Sequence, residues 1–416
     1  MTIDVSSVNA HNCRVSAPAY EACEEGTSAA LLTGGLDPHY ACALAVALVA
    51  KGMHLEVVGS DDLYSPEMRA TTNVVFHDLW FGQRKRNLVQ RMSGLLTYYL
   101  RLLRYAYSAK PHIFHILWNG RAEYFDRTLL MLYYKSLGKK VALTVHNVNA
   151  GTRDSNDSIL NRFTLKMQYR LADRLFVHTG KMKQELIDSF GVTDEAITVI
   201  PYGINNLVPD TELTPAAAKR RLGIRSDEKA ILFVGTIRPY KGIETLLTAF
   251  RELVTLDPKY RLIIAGEPKK ESRDYAAQIE NVIQNDLKGT GVIRKMEFIP
   301  DDEMEIYLKA ADVLVLPYKQ IFQSGILFLA YSFGLPVIAT DVGSLREDIV
   351  EGKTGFVCPP DDPAELAKAI RVYFESSIFS ALDQHRSQIQ EYARAHHSWD
   401  VVGDITQRAY RELLYS

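Results

Sequence analysis

Hydrophobic positions along the chain fall into short apolar runs, each followed by a small or polar turn and then a longer stretch of helical periodicity. In the first half, residues 29–33, 54–59, 113–117, 140–145, 174–178 and 196–201 are predicted strands. Gly34 and Gly35 mark a turn after the first run, and 39–51 and 125–135 carry helix patterns. Regular alternation of strand and helix predicts a mainly parallel sheet covered on both faces, since parallel neighbours need a crossover.

Residues 202–218 change character, with Gly203, Asn205, Asn206, two prolines and several short polar residues. Such a segment suits a connection better than a core element. The pattern then restarts, with predicted strands at 230–234, 261–265, 295–299, 313–316 and 337–340, a loop at 235–242 and an amphipathic helix at 243–254. The fold class is therefore α/β, with two doubly wound, Rossmann-like domains. We divide the chain into a first domain at 1–204, a linker at 205–218, a second domain at 219–398 and a terminal helix at 399–416 that returns across the junction. A doubly wound sheet takes its ligand at the carboxyl ends of its strands, which places the expected site in the interdomain cleft.

The 416 residues are 47% hydrophobic and 24% charged, a soluble globular balance that argues against extensive disorder. With 48 basic and 50 acidic residues the formal charge is -2, and nothing global points to nucleic acid. Charge is uneven locally: residues 78–110 hold Arg84, Lys85, Arg86, Arg91, Arg101, Arg104 and Lys110 against Asp78 alone, interleaved with leucines and tyrosines. Such a stretch suits either a peripheral membrane surface or an ordinary solvated helix face. Cys13, Cys23, Cys42 and Cys358 have neither metal-ligand spacing nor a disulfide pattern. They fit a reducing, cytoplasmic setting. No export signal or membrane span is apparent, so any membrane contact is expected to be peripheral, at the inner face of the cytoplasmic membrane.

The stretches VGTIRPYKGIETLL from Val234, IIAGEP from Ile263, ADVLVLPY from Ala311 and SFGLPVIATDVGSLREDIVEGKTGFV from Ser332 resemble the nucleotide-sugar-dependent glycosyltransferases of family 4. GGLDPHYACALAVAL from Gly34 and LTVHN from Leu143 carry the resemblance into the first half. It implies a two-domain GT-B fold, an acceptor-binding first domain and a second domain that grips a UDP- or GDP-sugar. It further implies hexosyl transfer to an acceptor hydroxyl, with retention and without a bound metal or tightly held cofactor. A saccharide on a lipid is the expected acceptor, as in glycan or exopolysaccharide assembly. A small soluble acceptor, an inverting reaction and a weakened sugar-nucleotide-binding protein are the alternatives.

A strand-to-helix loop can present backbone N–H groups and a helix dipole to a diphosphate. Gly235, Arg238 and Lys241 lie in such a loop, and the two cations suit charge neutralisation of a departing nucleotide diphosphate. Gly34 and Gly35 form the matching turn of the first domain, where small residues let the donor phosphate or sugar approach the backbone closely or simply serve the turn and helix packing. His146, directly after an apolar strand, is a cleft candidate by its family match. Asp154, in a polar loop beside Arg153, is the candidate base for an inverting reaction. His112, His115 and His146 do not form a zinc pattern. Ser324 has no recognisable triad.

Many relatives carry paired glutamates, yet here the corresponding positions hold Ile321 and Leu329, eight apart. Leucine cannot accept the hydrogen bonds of ribose hydroxyls. The neutral loop Gln323, Ser324 and Gly325 is the expected substitute donor contact; helix capping is its structural alternative. Glu347, in SLREDIV, is a nearby acid expected to orient a donor-side loop.

Overall fold

The computed structural model describes residues 27–35, 37–59, 71–79, 88–153, 157–204 and 208–415. Asp154 and the basic residues Arg84, Lys85 and Arg86 lie outside the described residues.

Thirteen strands build two wholly parallel sheets among the described residues. The first contains β1 (Ser28–Leu32), β2 (His54–Gly59), β3 (Val74–Asp78), β4 (Ile113–Ile116), β5 (Lys140–Thr144), β6 (Arg174–Val177) and β7 (Ile197–Val199) in the order β3-β2-β1-β4-β5-β6-β7. The second contains β8 (Lys229–Val234), β9 (Tyr260–Ala265), β10 (Val292–Lys295), β11 (Val313–Leu316), β12 (Val337–Thr340) and β13 (Gly355–Cys358) in the order β10-β9-β8-β11-β12-β13. Each sheet reverses its strand order once, between β1 and β4 and between β8 and β11. A crevice opens at the carboxyl ends of the strands where the order reverses.

Both sheets are buried on two faces, as their near-continuous apolar strands require. Ala230–Val234 and Leu262–Ala265 are fully inaccessible. His115 is the polar exception inside β4: its ring bonds the hydroxyls of Tyr410 and Thr144, and burial pushes its pKa down to about 3. Tyr410 belongs to the terminal helix Trp399–Tyr415, which packs on the Pro38–Ala50 helix. The Trp399 indole also donates to the Ile204 carbonyl at 2.8 Å.

Two predicted elements shift. The expected strand at 295–299 forms earlier, at Val292–Lys295, because Val292 to Lys295 pair with Leu262 to Ala265, whereas Phe298 is 67% exposed beyond the ladder. The predicted helix at 125–135 is longer and interrupted: Glu123–Phe125 and Met131–Ser136 are α-helical, with a π-helical turn at Asp126–Leu130 between them.

Candidate active site

The loop after β8 is shaped by packing against the strand that reverses the order. Gly242, at φ 64°, closes the Pro239–Lys241 turn and opens the Ile243–Leu256 helix. A Cβ at Gly242 would stand 2.0 Å from the Pro317 carbonyl oxygen, so only glycine permits this approach. The tight turn delivers Lys241 inward. Its side chain is 7% exposed, its Nζ donates to the Tyr318 hydroxyl at 3.2 Å, and it lies 4.8 Å from the Tyr318 ring centroid. The same ammonium is 3.1 Å from where a Cβ on Gly235 would stand. Among the described residues no carboxylate pairs with Lys241. A buried ammonium held only by a phenol and a ring face is poised for an anion.

Arg238, on the same loop, is part-buried and pairs with Glu271 at 2.8 Å. Its partner is 64% exposed, which makes the pair easy to exchange for another anion.

Tyr318 continues the chain of contacts to the QSG loop, because its hydroxyl is 3.3 Å from Ser324 Oγ. Ser324 occupies the N-cap position of the Gly325–Ser332 helix, yet its side chain makes no capping bond. The hydroxyl turns to Tyr318 instead and is buried. Gly325 sits against Tyr202, whose hydroxyl is 3.2 Å from where a Gly325 Cβ would stand. The Gln323 amide behaves differently: both polar atoms are shielded from solvent without a well-formed hydrogen bond. It approaches Asp348, whose carboxyl burial pushes up to about 7 against the pull of that amide. Leu329 is buried in the second core.

Across the cleft, the ends of β4, β5 and β6 gather aromatic residues. The His146 ring stacks on Trp118 with centroids 4.3 Å apart and 4° between planes. Its Nδ1 lies 3.2 Å from His178 Nε2, and its Nε2 is buried without a partner. Burial first, then the neighbouring His178 and His115, hold His146 well below the ordinary histidine range, so it is neutral. Burial likewise lowers His178 to about 4. Tyr40 lies edge-on to Trp118, His146 and Trp399. Gly34 is half-buried against Trp118 and Asn119, whereas Gly35 is exposed and donates its N–H to Thr33 Oγ1 at 3.4 Å.

The two domains touch through these elements. Tyr202 stacks on Phe328 of the Gly325–Ser332 helix, with centroids 5.2 Å apart, and also packs on His178 and Tyr40. Lys181 donates to the Gly343 carbonyl at 2.8 Å. The exposed Glu347 reaches toward the start of the Gly180–Phe190 helix, its Oε2 3.9 Å from where a Cβ on Gly180 would stand.

Sequence reasoning brought Gly235, Lys241, Ser324 and Gly325 onto one side of the cleft, and the structure gathers them around Tyr318 and Tyr202. Arg238 and Gln323 turn away from that cluster. Tyr318 and Asp348 were missed, although the LPY and SLREDIV stretches contain them; Tyr202 opens the 202–218 stretch that was read as a connection and lies just before the linker at 205–218. Among the described residues no group of three or more His, Cys, Asp or Glu is placed to hold a metal.

A family model described as glycosyl transferases group 1 matches residues 216–396, and one described as glycosyltransferase family 4 matches residues 38–206. A protein of Geodermatophilus obscurus named D-inositol 3-phosphate glycosyltransferase is 30% identical over 58% of this chain and 52% of its own length. Its namesake in Corynebacterium jeikeium is 28% identical over 72% of this chain and 71% of its own length. The chain thus spans about half the length of the first relative. Sucrose-phosphate synthase from Thermosynechococcus elongatus superposes with a TM-score of 0.74 at 20% identity, covering 94% of this chain and 100% of that one. HepE from Anabaena, solved with UDP-glucose, gives 0.69 at 16% identity over 92% and 98% of the two chains. At these identities the structural likeness concerns the fold.

Proposed function

From a chain that belongs to the GT-B glycosyltransferases related to family 4, we propose a hexosyltransferase that moves a sugar from a UDP- or GDP-sugar to an acceptor hydroxyl. The carrying observation is the buried Lys241 ammonium at the β8/β11 reversal, unpaired by any described carboxylate and linked through Tyr318 to Ser324. As the bond between the anomeric carbon and the diphosphate breaks, negative charge grows on the leaving phosphate. Lys241 neutralises it, and Arg238 joins once released from Glu271. Ser324 and the Gly325 backbone face the same diphosphate or the transferred sugar. The acceptor oxygen forms the new bond on the face the diphosphate leaves, and a phosphate oxygen takes its proton. Anomeric configuration is then retained, with no side-chain base required. His146, held neutral, lines the sugar side of the cleft. Gly34 and Gly35 let the donor phosphate or sugar approach the backbone of the first domain. Glu347 positions the donor loop against the first domain.

The names of the relatives and the UDP-glucose held by HepE favour a UDP-hexose donor and a phosphate-bearing acceptor. A lipid-linked acceptor and a peripheral membrane position are supported by the Leu88–Ser108 helix, which exposes Met92, Leu96 and Leu100 beside Arg101 and Arg104. No helix among the described residues is long and apolar enough to cross a membrane. The division at 1–204, 205–218, 219–398 and 399–416 is proposed with this assignment, the first domain receiving the acceptor.

Incubating the protein with UDP- and GDP-hexoses and a native membrane extract tests the proposal, with free nucleotide and sugar-linked product both measured. Acceptor-dependent product supports transfer, and NMR of its linkage reads the anomeric outcome. Donor binding without product across the panel favours a sugar-nucleotide-binding role, the reading suggested by buried Leu329 where an acid is usual.

A further inference from the structure

The β1/β4 reversal of the first sheet has its own cavity, of about 30 Å3, with largely apolar walls and a polar end formed by Asn119, Gly120, Asp126 and Tyr134 beside Gly34 and Trp118. That space admits one or two groups the size of a water molecule. Gly34 closes one wall by tight backbone packing: at φ 60°, a Cβ there would lie 2.6 Å from the carbonyl oxygens of both Trp118 and Asn119.

Asp126 is 5% exposed, and neither of its oxygens closes a well-formed hydrogen bond among the described residues. The Tyr99 hydroxyl, which accepts from the Ala122 N–H at 3.1 Å, and the Gly120 N–H approach this carboxyl without good alignment. Burial dominates over them and pushes Asp126 up to about 6. The Tyr134 hydroxyl is buried and unpartnered as well. Neither side chain therefore has a well-formed hydrogen bond to offset its desolvation.

Asp126 also opens the π-helical turn Asp126–Leu130. Such turns are rare, cost hydrogen-bond geometry and occur frequently at functional sites. Retained polar strain at a ligand crevice points to binding.

We propose that this cavity is a subsite for one hydroxyl-bearing arm of a polyol or saccharide acceptor, any phosphate of which stays outside it. The arm donates to Asp126, and the Tyr134 hydroxyl bonds the same oxygen. The cavity is too small for a pyranose ring, so only a hydroxyl or hydroxymethyl group enters while the rest of the acceptor stays in the cleft. Apolar walls from Leu32, Val58 and Leu130 fit the carbon that bears it. The assignment rests on the glycosyltransferase reading above.

Saturation-transfer NMR on the full chain, with methyl α-D-glucopyranoside and its monodeoxy analogues, tests the subsite. The wild type is expected to bind the parent sugar and to lose at least about tenfold in affinity when one particular hydroxyl is missing. Asp126→Asn should abolish that discrimination while leaving the calorimetric affinity for UDP unchanged and the Tm equal or higher. Tyr134→Phe should weaken the discrimination by a few-fold. The proposal is overturned if the wild type binds none of these sugars, or if Asp126→Asn keeps the discrimination. It is equally overturned if Asp126→Asn lowers the Tm and leaves sugar binding unaltered, the mark of a structural carboxylate bound to water. Failure of UDP to bind the wild type would instead count against the glycosyltransferase reading, with the sugar comparison still readable.

Discussion

The Lys241 ammonium meets the Tyr318 hydroxyl at 3.2 Å and lies 4.8 Å from the centroid of the same ring. One side chain therefore both hydrogen-bonds the cation and offers it a π face, while its hydroxyl extends to Ser324. Tyrosine is suited to this because it fills the core with an apolar body and leaves one polar end for the site. The arrangement fixes the ammonium without neutralising it.

Lys241→Ala is expected to weaken UDP binding by about 30- to 1000-fold, or roughly 2–4 kcal/mol, as the loss of a buried cation facing a phosphate. Tyr318→Phe keeps the ring face and loses only the hydroxyl, costing roughly 1 kcal/mol. Arg238→Ala should cost less than Lys241→Ala, because Arg238 already has an anionic partner in Glu271. Isothermal titration with UDP ranks the three; an Arg238→Ala loss larger than that of Lys241→Ala would contradict the assigned roles.

Gly242→Ala is expected to destabilise the second domain by about 3 kcal/mol or more, through the left-handed backbone and the clash with the Pro317 carbonyl. Thermal unfolding followed by circular dichroism measures it. A Tm within a degree or so of wild type would show that the turn relaxes freely.

Asp348→Asn is expected to stabilise the protein at alkaline pH. The folded pKa, about 7, lies above the unfolded value of 3.8, so the folded state holds the proton more tightly. Stability from this group is full below about pH 4 and is lost as pH rises through about 7. Removing the charge should recover about 2–4 kcal/mol at pH 8 and nothing below pH 4. Unfolding curves of both proteins across this range test the sign, and an equal gain at every pH would reject the burial explanation.

Replacing Leu96 and Leu100 by glutamine is expected to lower co-sedimentation with anionic vesicles, since these side chains are 63% and 58% exposed on a helix with neighbouring arginines. Binding of the wild type should also fall as salt screens the basic residues. UDP affinity should stay unchanged. Wild-type protein that remains in the supernatant at low salt removes the membrane position from the proposal.

Much of the strand framework was legible because a buried parallel strand is a local apolar run, as in Ile113–Ile116 and Val313–Leu316. The Gly235 to Gly242 loop was legible for a similar reason, its glycines and cations being consecutive in the chain. The π-helical turn was not, since Glu123 to Ser136 keeps an ordinary helical composition and the extra residue is absorbed only by packing. Nor was the orientation of Gln323, whose amide turns to Asp348, a residue 25 positions further along the chain.

The sequence by itself determined where strands and turns alternate and which loop carries the cations, because backbone preference and hydrophobic periodicity act over a few residues. It also determined that Ile321 and Leu329 are not acids. Only the tertiary structure decided that Lys241 is buried on Tyr318, that the hydroxyl of the N-cap residue Ser324 turns to the same phenol, and that Asp126 faces a cavity beside Gly34. Those contacts join segments separated along the chain, and their energy comes from desolvation and close packing that exist only once both sheets have formed.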